Sequence, residues 1–121
     1  AWPPVVWVGV GSDGYVAEAP EEVGAFAVNV LSASQKMLAG RFAAEGRPSA
    51  RLLVSGQPHH RGEHTRALVL DGALAALECS VLRHVVIGDH TVFFAEVVGL
   101  PEVSGEGAAL VRRAGRYHDV P

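Results

Sequence analysis

Two long apolar runs, residues 74–87 and 92–100, flank the short polar stretch Gly88-Asp89-His90-Thr91. In the first run, Leu77, Cys79, Val81, Val85 and Ile87 alternate onto one face, interrupted by Arg83. Glu78, Ser80 and His84 alternate onto the other, with Leu82 and Val86 intruding. Period-two alternation with many β-branched residues predicts a strand. Gly88-Asp89 between two such runs predicts a hairpin turn. His90 then opens the second strand. It reads either as a surface histidine at a strand end or as one aimed into a cleft.

The same patterning organises the rest. Residues 5–10 follow two prolines and predict a strand, since proline precedes strands but does not sit inside them. Gly9, Gly11 and Gly14 have the spacing of a phosphate-binding turn, but Pro20 interrupts the helix such a turn must open. Residues 15–23 predict at most a short helix. Residues 25–31, AFAVNVL, predict a second strand in which Asn29 is the one polar residue. A buried amide must find hydrogen bonds, so Asn29 serves a strand-edge contact or a ligand. Ser32 and Gln35 have capping-box spacing and predict a helix from Ser32 to about Ala44. Leu31, Leu38 and Phe42 form its apolar stripe, with Lys36 and Arg41 pointing away.

Residues 47–66 break the pattern with Pro48, Gly56, Pro58 and Gly62, three histidines and four arginines. They predict a loop without regular structure. His59, His60 and His64 suggest a metal set, yet Gly62 spoils the helix that would align His60 with His64, and no further ligand completes it. Residues 67–70 predict a short strand, Asp71-Gly72 a turn, residues 101–107 a link and residues 108–111 a last strand. Residues 112–118 carry three arginines and Tyr117. They read as a solvated tail or an anion-binding strand end. About six strands and one good helix, with no βαβ alternation, predict a small antiparallel barrel with a ligand at its mouth or at a subunit seam.

Bulk properties narrow the function. A chain of 121 residues with 49% hydrophobic content makes one domain with a real core. A net charge of −3 gives no basic footprint, so nucleic acid is not an expected partner. No apolar run reaches the ~18 residues of a membrane span, and no signal-peptide pattern opens the sequence. One cysteine fits a reducing cytoplasm. Cys79 lies in a strand pattern and reads as inert packing.

Six segments, in order, resemble one family. Residues 3–8, PPVVWV, resemble the P-P-L-V-L-V strand of the flavin reductase-like family, the FMN-binding split barrel. Residues 26–32, FAVNVLS, are similar to its F-A-V-N-V-L-S strand, and Gln35, Leu38 and Phe42 to the Q-x-x-L-x-x-x-F that follows. Residues 70–79, LDGALAALEC, resemble L-x-G-A-L-A-x-L-E-C. Residues 88–91 are its G-D-H-T, and residues 115–117 resemble its terminal G-x-Y. The resemblance implies a mainly β, split antiparallel barrel with one main helix over residues 1–121. It implies a homodimer that uses NADH or NADPH to reduce FMN or FAD, often for a separate monooxygenase. By the same resemblance His90 lies beside the flavin and nicotinamide rings as the catalytic residue. Asn29, Val30, Leu31, Ser32 and Gln35 border the flavin, and Tyr117 lies near the mouth.

Two departures bear on this expectation. The family carries two strands ahead of the Pro-Pro segment, with a G-M-T-V-N-S-F-T-like stretch that contacts the flavin and its phosphate. Either sequence upstream of Ala1 supplies them, or the chain is a minimal homologue with a changed pocket. Where the family has a Ser/Thr-rich S-x-T segment, this sequence reads Ser12-Asp13-Gly14-Tyr15. The alternative expectation is therefore a flavin-free homologue. Its pocket would bind an apolar small molecule, catalyse a non-redox biosynthetic step, or serve a partner subunit.

Overall fold

The structure, a computed structural model, describes residues 3–11, 24–43, 56–113 and 116–120, with backbone alone at 10–11, 41–43, 109–113 and 116–120. The strands are β1 (Val5–Gly11), β2 (Ala25–Val30), β3 (His59–Arg61), β4 (Leu68–Leu70), β5 (Ala75–Ile87), β6 (His90–Gly99), β7 (Ala109–Arg113) and β8 (Arg116–Val120). A 3-10 turn, Ala33–Gln35, runs into the helix α1 (Lys36–Ala43). The main sheet has the order β1-β6-β5-β2, and β3-β4 and β7-β8 form two-stranded sheets. Among the described residues every pairing is antiparallel and one α-helix is present, so the mainly β architecture is as expected. Among the described residues no helix is long and apolar enough to cross a membrane.

The long apolar runs became β5 and β6 because both are rich in β-branched residues and pair along nearly their whole length across one antiparallel ladder. The Gly88-Asp89 turn joins them, with Gly88 at φ +58°, a left-handed conformation that glycine adopts without a Cβ penalty. Two irregularities break strict alternation. One lies between Glu78 and Cys79, the other between Val81 and Arg83. The second leaves Leu82 as the extra residue, since Val81 faces Ala95 while Arg83 faces Phe94. The single apolar face expected along all of β5 is therefore divided. Cys79 joins Ala95 and Val97 in one core cluster, with Val6, Phe26, Val28 and Leu77 against it. Phe26 meets Phe93 edge-on at 6.5 Å. A second cluster, Leu38, Leu70 and Ala73, packs with Leu31, Leu68 and Val103.

Four expectations are corrected. Residues 59–61, read as loop, are strand β3; the ladder to β4 overrides a polar sequence with no alternation. Residues 116–120 are not a tail but β8, paired along β7. Among the described residues eight strands stand where about six were expected. Glu78, placed on the polar face of its strand, is 1% exposed. Gly9 and Gly11 lie within β1, paired with Val92 and His90, and open no helix. The short helix expected at residues 15–23 lies outside the described residues.

Candidate functional site

His90 begins β6, paired with Ile87 on one side and Gly11 on the other. Its backbone is thus fixed by two strands while its side chain stays 62% exposed. Nδ1–H donates to Asp89 Oδ1 at 2.7 Å. The imidazole's hydrogen bond and charge hold the Asp89 carboxyl below its usual range. The carboxylate thereby sets the ring's tautomer and leaves Nε2 to meet a ligand. Thr91, the next residue, is buried.

The other predicted residues gather at the end of β2. Asn29 donates from Nδ2 to Leu68 O at 3.2 Å and accepts at Oδ1 from Leu70 N–H at 2.9 Å. One side chain thus engages β4 as a neighbouring strand would. Val30 is exposed, and its carbonyl accepts from Leu74 N–H. Leu31 packs toward Leu38. Ser32 is buried, and its N–H donates to Gln35 Oε1 at 3.0 Å, as the capping-box spacing predicts. Ser32 Oγ lies 2.9 Å from Ser34 Oγ. Ala33 N–H reaches Ala108 O, which ties the helix start to the approach of β7.

These two groups are not brought together within one chain. Asn29 pairs with Ala76 near the start of β5, and His90 pairs with Ile87 at its end. Eleven residue steps of about 3.3 Å separate those positions along the strand. Tyr117 lies in β8, where the structure describes backbone alone.

Polar atoms at the β2 end are mostly committed to the protein. Asn29 and Ser32 have their partners, and no buried side-chain polar atom among the described residues lacks one. Gln35 Nε2 has no hydrogen bond among them. It lies 3.3 Å from where a Cβ on Gly72 would stand. Among the described residues, the Gln35 amide, packed against Gly72, and the exposed edge at Val30 are the groups at this end that remain open to a ligand, while the Asn29 and Ser32 side chains are committed to the fold.

Sequence reasoning missed two features here. Glu78 crosses from β5 to the β3–β4 turn, where its Oε1 accepts from His64 N–H (3.1 Å), Thr65 N–H (2.9 Å) and Thr65 Oγ1 (2.9 Å). Burial pushes its carboxyl up, but the Thr65 and His64 hydrogen bonds and the His64 charge outweigh that and hold it below its usual range. Gly62 and Gly99 leave room for it, because a Cβ at either would run into this carboxylate. The second feature is His60, whose Nδ1 lies 2.6 Å from Asp71 Oδ1, and which the metal reading had grouped with His59 and His64. Among the described residues no cluster of three or more metal-ligating side chains exists.

The flavin reductase like domain matches residues 1–121. The FMN reductase (NADH) RutF of Ancylobacter novellus is 35% identical over 118 residues, covering 98% of this chain and 63% of that protein. The chain thus spans under two thirds of this relative's length. BorF, the flavin reductase component of a bacterial two-component tryptophan halogenase, superposes with a TM-score of 0.86 at 33% identity, over 98% of this chain and 74% of that one. The NADH:FAD oxidoreductase SgcE6 of Streptomyces globisporus, solved with NAD and FAD fragments, superposes with a TM-score of 0.82 at 31% identity, over 98% of this chain and 69% of that one.

Proposed function

The chain belongs to the flavin reductase-like family, and on that premise we propose that it reduces FMN or FAD with NADH or NADPH and passes reduced flavin to a flavin-dependent monooxygenase. The observation that carries this reading is the family match over residues 1–121, together with relatives named FMN reductase (NADH) and NADH-dependent FMN reductase.

When bound, the flavin supplies the hydride-accepting ring, and the protein's task is alignment. Gln35 offers an amide N–H at one edge. The absence of a Cβ at Gly72 lets that amide lie close against the turn. His90, oriented by Asp89, offers Nε2 to a ring carbonyl or packs beside the nicotinamide. Neither role of His90 requires a change of its charge.

The site is best completed by a second copy of the chain. His90 and the Asn29–Gln35 group stand too far apart along β5 to touch one flavin ring. A homodimer would bring one protomer's His90 to its partner's β2 end. Exposed Val5, Trp7, Leu82, Val86 and Ile87 are the apolar surface that such an assembly would cover.

Purified protein mixed with NADH and FMN tests the reading. Loss of NADH absorbance that depends on flavin supports it. A protein that neither binds flavin nor oxidises NADH overturns it. The flavin-free reading is favoured by one observation, the commitment of the Asn29 and Ser32 polar atoms to the fold.

A further inference from the structure

The irregularity between Val81 and Arg83 decides which face of the main sheet carries a charge. Val81 stands opposite Ala95, which is buried in the core. In unbroken alternation Arg83 would share that face. The extra residue, Leu82, turns Arg83 to the outer face instead, opposite Phe94. There Leu82, Arg83, Val85 and Phe94 line an open cleft of about 460 Å³. Its walls are apolar except for the guanidinium. Arg83 is exposed and has no ion pair among the described residues. Glu96, two residues beyond Phe94 on the same face, stands opposite Ser80 and forms no ion pair with it.

The cleft shares its face with His90. Along β6 the residues His90, Val92 and Phe94 alternate with the buried Thr91, Phe93 and Ala95. Phe94 is thus four residue steps of about 3.3 Å from His90. Between them lie Val92 and, opposite it on β5, Val85. Gly9 is the β1 neighbour of Val92, and a Cβ there would reach only Val92, at 4.0 Å. On these three strands nothing taller than a valine stands between His90 and the cleft.

We propose that this cleft holds the adenosine diphosphate end of the nicotinamide dinucleotide, with the adenine against Leu82, Val85 and Phe94 and a pyrophosphate oxygen on Arg83. The proposal rests on the reading of His90 as the nicotinamide end of the site. An apolar cleft with one convergent charged group suits a planar base that carries an anion. The guanidinium is charged at every working pH, and its planar fork matches phosphate oxygens. The two bases of an extended dinucleotide stand about as far apart as His90 and Phe94. Leu82 also belongs to the apolar surface that a second copy would cover, so the cleft borders that surface.

Steady-state kinetics with NADH and with reduced nicotinamide mononucleotide, which lacks the adenosine end, decide it, together with calorimetric titration of ADP-ribose. In Arg83→Gln the KM for NADH should rise about tenfold at unchanged kcat, because the lost contact is as strong in the ground state as in the transition state. NADPH should lose the same factor, since it carries the same pyrophosphate. The mononucleotide should serve both proteins equally. ADP-ribose should bind the wild type, and bind Arg83→Gln about tenfold more weakly. Arg83→Lys, which keeps the charge without the fork, should fall between the two. An unchanged KM for NADH, or an equal loss with NADH and the mononucleotide, overturns the role of the cleft while the reductase reading stands. A wild type that binds no ADP-ribose, as when a second copy covers the cleft, overturns it as well. A wild type that oxidises no NADH overturns the reductase reading, and ADP-ribose binding weakened by Arg83→Gln then still assigns the cleft to an adenosine diphosphate.

Discussion

Asn29 and Glu78 stand on the same face of the β2–β5 pair, two residues apart in register, and both direct their polar atoms into the β3–β4 hairpin. Asn29 faces Ala76 and Glu78 faces Ala27. Asn29 bonds the β4 backbone at Leu68 and Leu70, and Glu78 bonds the turn at His64 and Thr65. Among the described residues the hairpin has no backbone ladder to the main sheet. Two side chains make the join that a strand pairing makes elsewhere, and the join positions His60 and Asp71.

Replacing Asn29 by Ala removes two hydrogen bonds and leaves one donor and one acceptor of β4 unmet. The expected loss is about 1–3 kcal/mol, read as a lower midpoint in urea unfolding. Amide exchange at Leu70 should rise more than at Val97 in the main sheet, because the join opens before the sheet does. Equal increases at both amides would show that Asn29 supports the whole fold rather than this join.

The pH dependence of stability follows from Glu78. Its carboxyl titrates lower folded than in the unfolded chain, where 4.5 is ordinary. Its contribution is therefore complete above that value and is lost as pH falls through the depressed folded value. Urea unfolding of the wild type and Glu78→Gln should differ most at neutral pH and converge in acid. A constant difference across the series would mean that the carboxylate's charge is irrelevant to the clasp.

Cys79 is buried, and burial together with the Glu78 charge pushes its thiol up. The folded protein should leave a thiol reagent unconsumed, and urea should release one thiol per chain. Fast labelling of the native protein would mean that the Cys79 cluster opens readily.

The parts of this fold legible in the sequence are those whose cause is local. The Gly88-Asp89 turn, the Ser32–Gln35 cap and the apolar alternation of β1, β2 and β6 all arise from residues within a few positions of each other. β3 was not legible because His59-His60-Arg61 becomes strand only by pairing with β4. The burial of Glu78 was not legible because its donors lie 13 and 14 residues upstream. The division of β5 was not legible because bulges belong to a strand pair, not to one strand. Of the candidate site, the sequence led to His90 and to the capping box. It could not tell that Asn29 bonds the backbone of β4.

A shared site makes a prediction that no single-chain site makes. His90→Ala should fold normally, since its side chain is mostly exposed and packs no core. Flavin-dependent NADH oxidation should fall ten- to a hundredfold, the effect of losing one contact of roughly 1.5–3 kcal/mol. Gln35→Glu keeps an oxygen for the Ser32 N–H and removes the free amide donor, so it should fold while weakening flavin binding. Each variant alone is then defective at every site. Unfolded together and refolded as a mixture, they form heterodimers in which one site receives both wild-type residues. About a quarter of all sites are restored, and activity should recover to about a quarter of wild type. Light scattering on the same samples should give the mass of two chains. A mixture no more active than its components, from a protein that scatters as a dimer, would place His90 and Gln35 at separate sites. A monomer that is fully active would overturn the shared site itself.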